Sequence, residues 1–196
     1  LRLALRAGDP VIGARSLAAV GSTLAYGGSK PLVYWGSALL RNAERIARET
    51  KDASLLASVR VHQGIATMTA GRWTDSLAVL EPALQTLKRE ATGYQHERGY
   101  GEMTVLLALE ALGRWTEVEQ RAALCLREGE ATGNLYLRVQ ASLYLAQCSL
   151  IRDVPSEAPR MIRALEAWPA AEDGFLFQHW LGLRASVCHA LYCDEP

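Results

Sequence analysis

The sequence Gly71-Arg72-Trp73-Thr74 occurs again as Gly113-Arg114-Trp115-Thr116, 42 residues further along the chain. A second tetrapeptide, Glu90-Ala91-Thr92-Gly93, occurs again as Glu130-Ala131-Thr132-Gly133 after 40 residues. Two independent markers with nearly the same period indicate that one structural unit has been duplicated. Periods of this length are typical of repeats of paired helices, so these markers decide the fold class.

The segments between the markers carry apolar residues three and four positions apart, as in Val105, Leu106, Leu109 and Leu112. This spacing places the apolar side chains on one face of an α-helix. No alternating run rich in Val, Ile and Thr is bounded by hairpin turns, so strands are not expected. The sequence predicts about nine helices of roughly 12 to 20 residues joined by short turns.

The glycines of the markers are expected at helix ends, because glycine readily adopts the left-handed backbone that closes a helix. Gly71 and Gly113 would end the first helix of a pair, and Gly93 and Gly133 the second. The predicted units cover residues 1–50, 52–92, 94–132 and 134–170, with a partial unit at 172–193. Since the sequence begins at leucine and its last unit is incomplete, we expect a segment of a longer chain.

The other marker residues also have predicted roles. Trp73 and Trp115 fall in the turn, where a large flat side chain can pack between the two helices of a pair. Thr116, with Glu119 three residues later, predicts a capping box at the start of the second helix.

The composition restricts the classes of partner. The chain has 196 residues, in which 21 Lys and Arg balance 21 Asp and Glu. Zero net charge argues against a nucleic-acid surface, which needs an excess of basic residues. No apolar run approaches the roughly 18 residues that span a bilayer, and the first residues do not resemble a secretion signal. We therefore expect a cytoplasmic protein without nucleic-acid or membrane partners.

The cysteines Cys125, Cys148, Cys188 and Cys193 lie in apolar helical contexts and are predicted to be free, buried thiols. Cys193 and His189 are four residues apart, which would allow a two-ligand metal site on one helix face. Zinc usually takes four ligands from two closely spaced pairs, and the sequence has no second pair. We therefore predict no metal site.

The markers resemble those of tetratricopeptide-type repeats. If Gly71 is matched to the glycine that closes the family's first helix, Gly64 falls where that helix requires a small residue. Trp73 then takes the place of the turn aromatic, and Ala83-Leu84 that of an Ala-Leu pair in the second helix. The resemblance implies an all-α fold, a right-handed α-solenoid of antiparallel helix pairs. Since the family's usual period is about 34 residues, longer helices are expected here.

The other units match this pattern less closely. Gly113, Trp115 and Leu126 fit the second unit, whereas Leu106 and Cys125 replace its small residue and its alanine. The first 50 residues resemble a more divergent unit, and residues 175–192 resemble the first helix of a further one.

Longer repeats of this kind resemble the helical regions of bacterial signal-transduction ATPases of the maltose-regulator type. The closer similarity is to the C-terminal arrays of myxobacterial-type serine/threonine protein kinases that carry an ATPase module. It depends on residues 1–10 (Leu-Arg-Leu-Ala-Leu-Arg-Ala-Gly-Asp-Pro), the Gly-Arg-Trp turns, and Phe-Gln-His-Trp at 177–180 before Leu-Tyr at 191–192. This implies a regulatory, protein-binding module of a bacterial signalling protein.

No catalytic motif is present in the sequence. Gly27-Gly28-Ser29-Lys30 is the nearest approach to a phosphate-binding loop, but serine precedes lysine and Pro31 follows it. No nucleophile elbow, zinc-protease motif or kinase signature occurs. We therefore expect neither catalysis by this segment nor a bound cofactor.

The tetratricopeptide resemblance also selects the residues that would line a concave groove, the usual binding surface of such folds. They are Ser58, Val61, Ile65, Met68 and Thr69 in one unit and Tyr100, Met103, Leu107, Glu110 and Ala111 in the next. None is the lysine, arginine or asparagine with which family members clamp a terminal carboxylate, so no clamp is expected. A mainly apolar groove would either receive a hydrophobic helix or be filled by neighbouring repeats.

Residues 94–100, Tyr-Gln-His-Glu-Arg-Gly-Tyr, form the densest polar and aromatic run. His96 and Arg98 could belong to a polar pocket for a small-molecule effector, or the run could begin a solvated helix. The histidines at 62, 96, 179 and 189 could line one groove if they lie on successive first helices. The sequence thus favours a protein-interaction module, with an effector-sensing helical domain as the alternative and a structural spacer as the third hypothesis.

A basic stripe is formed by Arg41, Arg45 and Arg48, with Glu44 and Glu49 beside it. Opposite charges three or four residues apart pair on the surface of a helix. The stripe is therefore predicted to be a salt-bridged surface and not a nucleic-acid contact.

Overall fold

The computed structural model describes residues 2–6, 8–90, 93–168 and 176–194, without the side chains of Leu5 and Glu90. In these ranges all regular structure is helical, as predicted. The α-helices are α1 Arg2–Arg6, α2 Pro10–Tyr26, α3 Lys30–Thr50, α4 Ala53–Thr69, α5 Trp73–Glu90, α6 Gln95–Ala111, α7 Trp115–Thr132, α8 Leu135–Ile151, α9 Ala158–Ile162 and α10 Phe177–Tyr192. Two 3-10 helices, Pro155–Glu157 and Arg163–Ala167, flank α9. No described helix is both long and apolar enough to cross a membrane.

The long helices begin at regular intervals. Helices α2, α4, α6, α8 and α10 start 40 to 43 residues apart, at Pro10, Ala53, Gln95, Leu135 and Phe177. Helices α3, α5 and α7 start 42 or 43 residues apart, at Lys30, Trp73 and Trp115. The helix spacing therefore agrees with the period of the sequence markers. It also extends to the first 50 residues, where the markers are absent.

The glycine markers lie at helix ends, as predicted. Gly71 and Gly113 follow α4 and α6 with φ of 75° and 70°, and Gly133 follows α7 with φ of 68°. Gly93 precedes α6 with φ of 86°, whereas Ala91 and Thr92 of the same marker lie outside the described residues. Side chains other than glycine rarely adopt such φ values, so the repeated glycines are explained by backbone geometry. The predicted unit ends at 92, 170 and 172 also lie outside the described residues.

The tryptophan markers differ from the prediction. Trp73 and Trp115 are the first residues of α5 and α7 instead of turn residues. Trp73 is 38% exposed, so it is not enclosed between the helices of a pair. The predicted position in the turn is therefore wrong, whereas packing by these partly buried rings stays a prediction.

The predicted capping box between Thr116 and Glu119 is wrong. Helix α7 starts before Thr116, and the residue preceding it, Arg114, makes no side-chain capping bond. Arg114 instead forms an ion pair with Glu117 across the first turn. An acidic side chain is favourable in that turn because it faces the positive end of the helix dipole.

The chain forms two compact units, Leu1–Ala108 and Leu109–Pro196. In the first unit α2 and α3 approach closely, because a Cβ atom at Gly36 would lie 2.6 Å from the carbonyl oxygen of Gly21. Helices α4 and α5 meet at Gly64, where a Cβ atom would lie 2.5 Å from Leu80 Cγ. The Ser76 hydroxyl donates to the Gly64 carbonyl oxygen at 2.8 Å. Gly64 is thus a close-packing position, in agreement with the small residue that the repeat pattern requires.

The Ala-Leu pair of the first marked unit lies in the core. Ala83 and Leu84 are buried on α5. A Cβ atom at Gly101 would lie 2.7 Å from Leu84 Cδ2, so α6 packs directly against this pair.

The second unit is built around α8, whose residues are mostly buried. One apolar cluster joins Cys125, Leu137 and Ala141, and another joins α8 to Ala158 of α9. A single long helix does not follow α8. Instead α9 has five residues between two 3-10 helices, where the repeat pattern predicts the second helix of a pair.

Candidate functional site

The residues predicted to line an apolar groove are mostly packed inside the protein. Val61, Ile65 and Met103 are buried, and Met68 and Leu107 are half-buried. Tyr100 is 36% exposed. A Cβ atom at Gly101 would lie 3.3 Å from Val61 Cγ1, so α6 covers Val61. A charged residue at Val61 would therefore disturb folding and could not serve as a specific test of binding.

A polar cluster, Arg15, Ser22, His62, Tyr94 and Glu97, joins three helices of the first unit. Nε of Arg15 on α2 donates to Oε1 of Glu97 on α6 at 2.8 Å, and its Nη2 lies 2.7 Å from the same oxygen. The Glu97 side chain is only 5% exposed, and its Oε2 has no hydrogen-bond partner among the described residues. The Arg15 guanidinium also lies 4.7 Å from the centre of the Tyr94 ring. This ion pair connects residues 82 positions apart and holds the first and third of these helices together.

His62 of α4 occupies the same cluster. Its Nδ1 lies 2.9 Å from Ser22 Oγ, and the Ser22 hydroxyl donates to the Ala19 carbonyl oxygen at 3.0 Å. Both contacts are satisfied together by the tautomer with the proton on Nδ1, because the single hydroxyl proton of Ser22 then goes to Ala19 and Ser22 accepts from His62. Burial lowers the pKa of His62 to about 4; the charge of Glu97 opposes this shift, and His96 and Arg15 reinforce it.

The residues predicted for a polar pocket, His96 and Arg98, stand on either side of Glu97 in α6. His96 is exposed, and its ring centre lies 4.6 Å from that of Tyr100. Arg98 is half-buried. Of the other histidines, His179 accepts the Leu176 N–H at 3.0 Å and so caps the start of α10. The charge of His96 contributes to the lowered pKa of His62, whereas His179 serves a local structural role.

The state of His62 predicts how stability depends on pH. The folded pKa of about 4 lies below the unfolded value of roughly 6.5. The unfolded chain therefore binds the proton first, and stability falls as the pH drops from about 6.5 towards 4, by up to roughly 3 kcal/mol. His62→Gln retains an amide near Ser22 and should remove this part of the dependence. Urea unfolding of both proteins at pH 7.0, 6.0, 5.0 and 4.5 checks it, and parallel pH curves would contradict the assignment.

A second polar cluster lies in the second unit. Arg184 of α10 donates to Glu110 Oε1 of α6 at 2.8 Å and to Gln147 Oε1 of α8 at 3.2 Å. Its guanidinium lies 5.0 Å from the Trp180 ring centre and 5.7 Å from that of Tyr144. Burial raises the pKa of Tyr144 well above its usual range. Glu110, predicted as a groove residue, is therefore engaged by an arginine of the same chain.

None of the four cysteines forms a disulfide, as predicted, whereas the predicted burial is confirmed for two of them and wrong for the other two. Cys125 and Cys148 are buried, and burial raises the pKa of Cys148 to about 12, which leaves it a protonated thiol. Cys188 and Cys193 are exposed. Cys193 Sγ lies 3.7 Å from His189 Nε2. Within the described ranges no group of three or more His, Cys, Asp and Glu side chains could hold a metal ion.

Helix α10 carries an apolar face that the described residues leave exposed. Its buried face consists of Gln178, Leu181, Gly182 and Ala185. The opposite face, here named the α10 stripe, is 39 to 73% exposed and consists of Phe177, Trp180, Leu183, Val187 and Leu191. Its members are three and four residues apart and share one side of the helix with Arg184, whose side chain is 24% exposed and pairs with Glu110. The same spacing of apolar residues is visible in the sequence.

No protein-family model, curated protein or solved structure matches the chain. The resemblances to tetratricopeptide repeats and to kinase-associated arrays therefore depend on the residue markers alone. The structure itself offers two polar clusters that hold helices together and one exposed, mainly apolar face of α10, on which the Trp180 ring also contacts Arg184.

Proposed function

We propose that the chain is a non-catalytic, tetratricopeptide-like interaction and regulatory module, and that the α10 stripe is its binding surface. The regular spacing of the helix starts supports the repeat. The observation that supports the binding role is that α10 packs one face into the protein and leaves apolar side chains exposed on the other face. Contiguous apolar surface of this kind marks interaction sites in soluble proteins.

The partner that fits the stripe is an amphipathic helix, supplied by another protein or by another domain of the same polypeptide. Five apolar side chains along four turns can pair with anchors at i, i+3, i+4 and i+7 of a second helix. Phe177 and Trp180, with ring centres 5.2 Å apart, form an aromatic end to the stripe. Aromatic anchors beside aliphatic ones are the usual source of binding energy in such interfaces.

The wider context is also a proposal. On the resemblance of residues 1–10, the Gly-Arg-Trp turns and residues 177–192, the module belongs to a bacterial signalling protein, a serine/threonine protein kinase with an ATPase module. In that setting, binding at the stripe would change the activity of a catalytic domain elsewhere in the polypeptide. Phosphate transfer from ATP by the 196-residue chain alone would contradict the non-catalytic assignment.

The stripe is tested by the double variant Leu183→Glu/Val187→Glu. Both side chains are exposed, so the variant should fold with a melting temperature close to that of the wild type. Two buried apolar contacts become charges in the complex, so partner binding should weaken at least tenfold, as expected for a loss of roughly 1.4 kcal/mol or more. Partners are first captured by a photoreactive residue at position 191, and their affinities are then measured by titration calorimetry.

Ser186→Glu is the matched control for this test. Ser186 is exposed on the same helix but lies outside the stripe. Its substitution by glutamate therefore adds a charge without removing an apolar contact. Its affinity should stay within about twofold of the wild type, as is usual for changes at the rim of an interface. Equal affinities for wild type and the folded double variant would rule out the stripe as the binding surface.

A further inference from the structure

A cavity of about 210 Å³ opens between α3 and α4 in the first unit. Its apolar lining includes Leu40, Ala66 and Ala70, and its polar lining is Ser37, Arg41, Gln63, Thr67 and Arg72. It contains none of the residues that the tetratricopeptide resemblance selects for a groove. None of its lining residues is acidic, and both of its charged lining residues, Arg41 and Arg72, are basic.

Arg41 is available at this cavity because the carboxylates near it on α3, Glu44 and Glu49, bind other side chains. The predicted salt-bridged surface is confirmed for Arg45 with Glu49 at 2.7 Å and for Arg48 with Glu44 at 2.5 Å. Glu44 also accepts from Gln63 Nε2 at 2.8 Å, and this hydrogen bond is the main reason that the pKa of Glu44 is lowered. In the described part of the chain Arg41 is left without an ion pair or a side-chain hydrogen bond.

Arg72, the arginine of the first Gly-Arg-Trp marker, is only loosely neutralised. Its Nη1 lies 3.9 Å from Asp75 Oδ2. At the equivalent positions of the next marker, Arg114 binds both carboxylate oxygens of Glu117. The shorter aspartate side chain does not reach far enough to make the same bidentate pair, and Arg72 keeps donors for another anion.

We propose that this cavity binds a small organic carboxylate, with its apolar body against Leu40 and Ala66 and its carboxylate at Arg41. An apolar cavity of roughly 150 Å³ holds one benzene ring, so the volume here accommodates a ring or short branched chain together with one carboxylate. Arginine suits the charged end because its planar donors match a carboxylate. This function goes beyond protein binding at the α10 stripe and uses the other unit of the chain.

Titration calorimetry with benzoate, and with benzyl alcohol as its neutral counterpart, tests the proposal on the whole chain. Benzoate should bind to one site, and benzyl alcohol should bind at least tenfold more weakly. Arg41→Gln should weaken benzoate binding about tenfold or more, since hydrogen bonds between charged groups are among the strong ones. Arg45→Gln, which removes the same charge one turn away where Glu49 already pairs it, should change the affinity less than twofold.

Ser37→Leu provides a test that leaves every charge in place. The larger side chain should occupy the cavity and abolish benzoate binding, while leucine is well tolerated in a helix. A peptide ending in leucine is titrated with a free and with an amidated terminus. Binding of the free form alone would identify a chain terminus as the source of the carboxylate, and binding of neither form would identify a free acid. Absence of benzoate binding at about 10 mM, a normal affinity in Arg41→Gln or Ser37→Leu, or equal losses in Arg41→Gln and Arg45→Gln would each overturn the proposal.

Discussion

Replacing Gly36 by alanine should lower the free energy of unfolding by about 2 to 3 kcal/mol, the usual cost of overpacking a tight contact. The new Cβ atom would lie 2.6 Å from the carbonyl oxygen of Gly21 and 3.3 Å from Leu24 Cβ. A backbone oxygen cannot rotate away, so α2 and α3 would have to separate along their shared face. Chemical unfolding followed by circular dichroism measures the loss.

Gly13→Ala is the matched control, because Gly13 lies in α2 and a Cβ atom there would meet nothing within 4 Å. It should stabilise the protein by about 0.5 to 1 kcal/mol, since alanine is the better helix former. The two substitutions are chemically identical, so a difference in sign isolates the close helix contact. If Gly36→Ala were also neutral or stabilising, the contact of α2 with α3 at Gly21 would be contradicted.

The parts of the fold that the sequence predicts are those with local physical causes. Gly71 and Gly113 repeat because a positive φ at the end of a helix favours glycine, whatever lies elsewhere in the chain. The apolar spacing predicts helices for the same local reason. The contact between Gly21 and Gly36 was not predicted, because it depends on how two helices cross. The sequence also does not predict that α9 is short and lies between two 3-10 helices.

The candidate sites depend on longer-range choices and were harder to predict. The positions selected for a groove by resemblance, such as Val61 and Met103, are buried by helices that the sequence does not place. Arg41 and Glu44 look like a possible pair at i, i+3, yet Glu44 turns to Arg48 and Gln63 instead. The α10 stripe is the exception, since its spacing lies within one helix and could have been recognised in the sequence.

Arg15→Met should be the other strongly destabilising substitution, with an expected loss of about 2 to 4 kcal/mol. It removes the partner of Glu97, whose carboxylate is 5% exposed and would remain as an uncompensated charge inside the first unit. Methionine keeps the length of the apolar stem, so lost packing contributes little. Arg45→Met is the control: it breaks the exposed pair with Glu49 and should cost less than about 1 kcal/mol.

A double-mutant cycle separates the ion pair from other effects of Arg15. Glu97→Gln in the Arg15→Met background removes the buried charge, so it should recover more than half of the loss measured for Arg15→Met alone. The same change in the wild-type background should be mildly destabilising, because Arg15 is 38% exposed and can be solvated by water. Urea unfolding at pH 7 gives all four free energies. Additive losses in the double variant would show that Arg15 acts through packing on Tyr94, and that the ion pair does not hold α2 to α6.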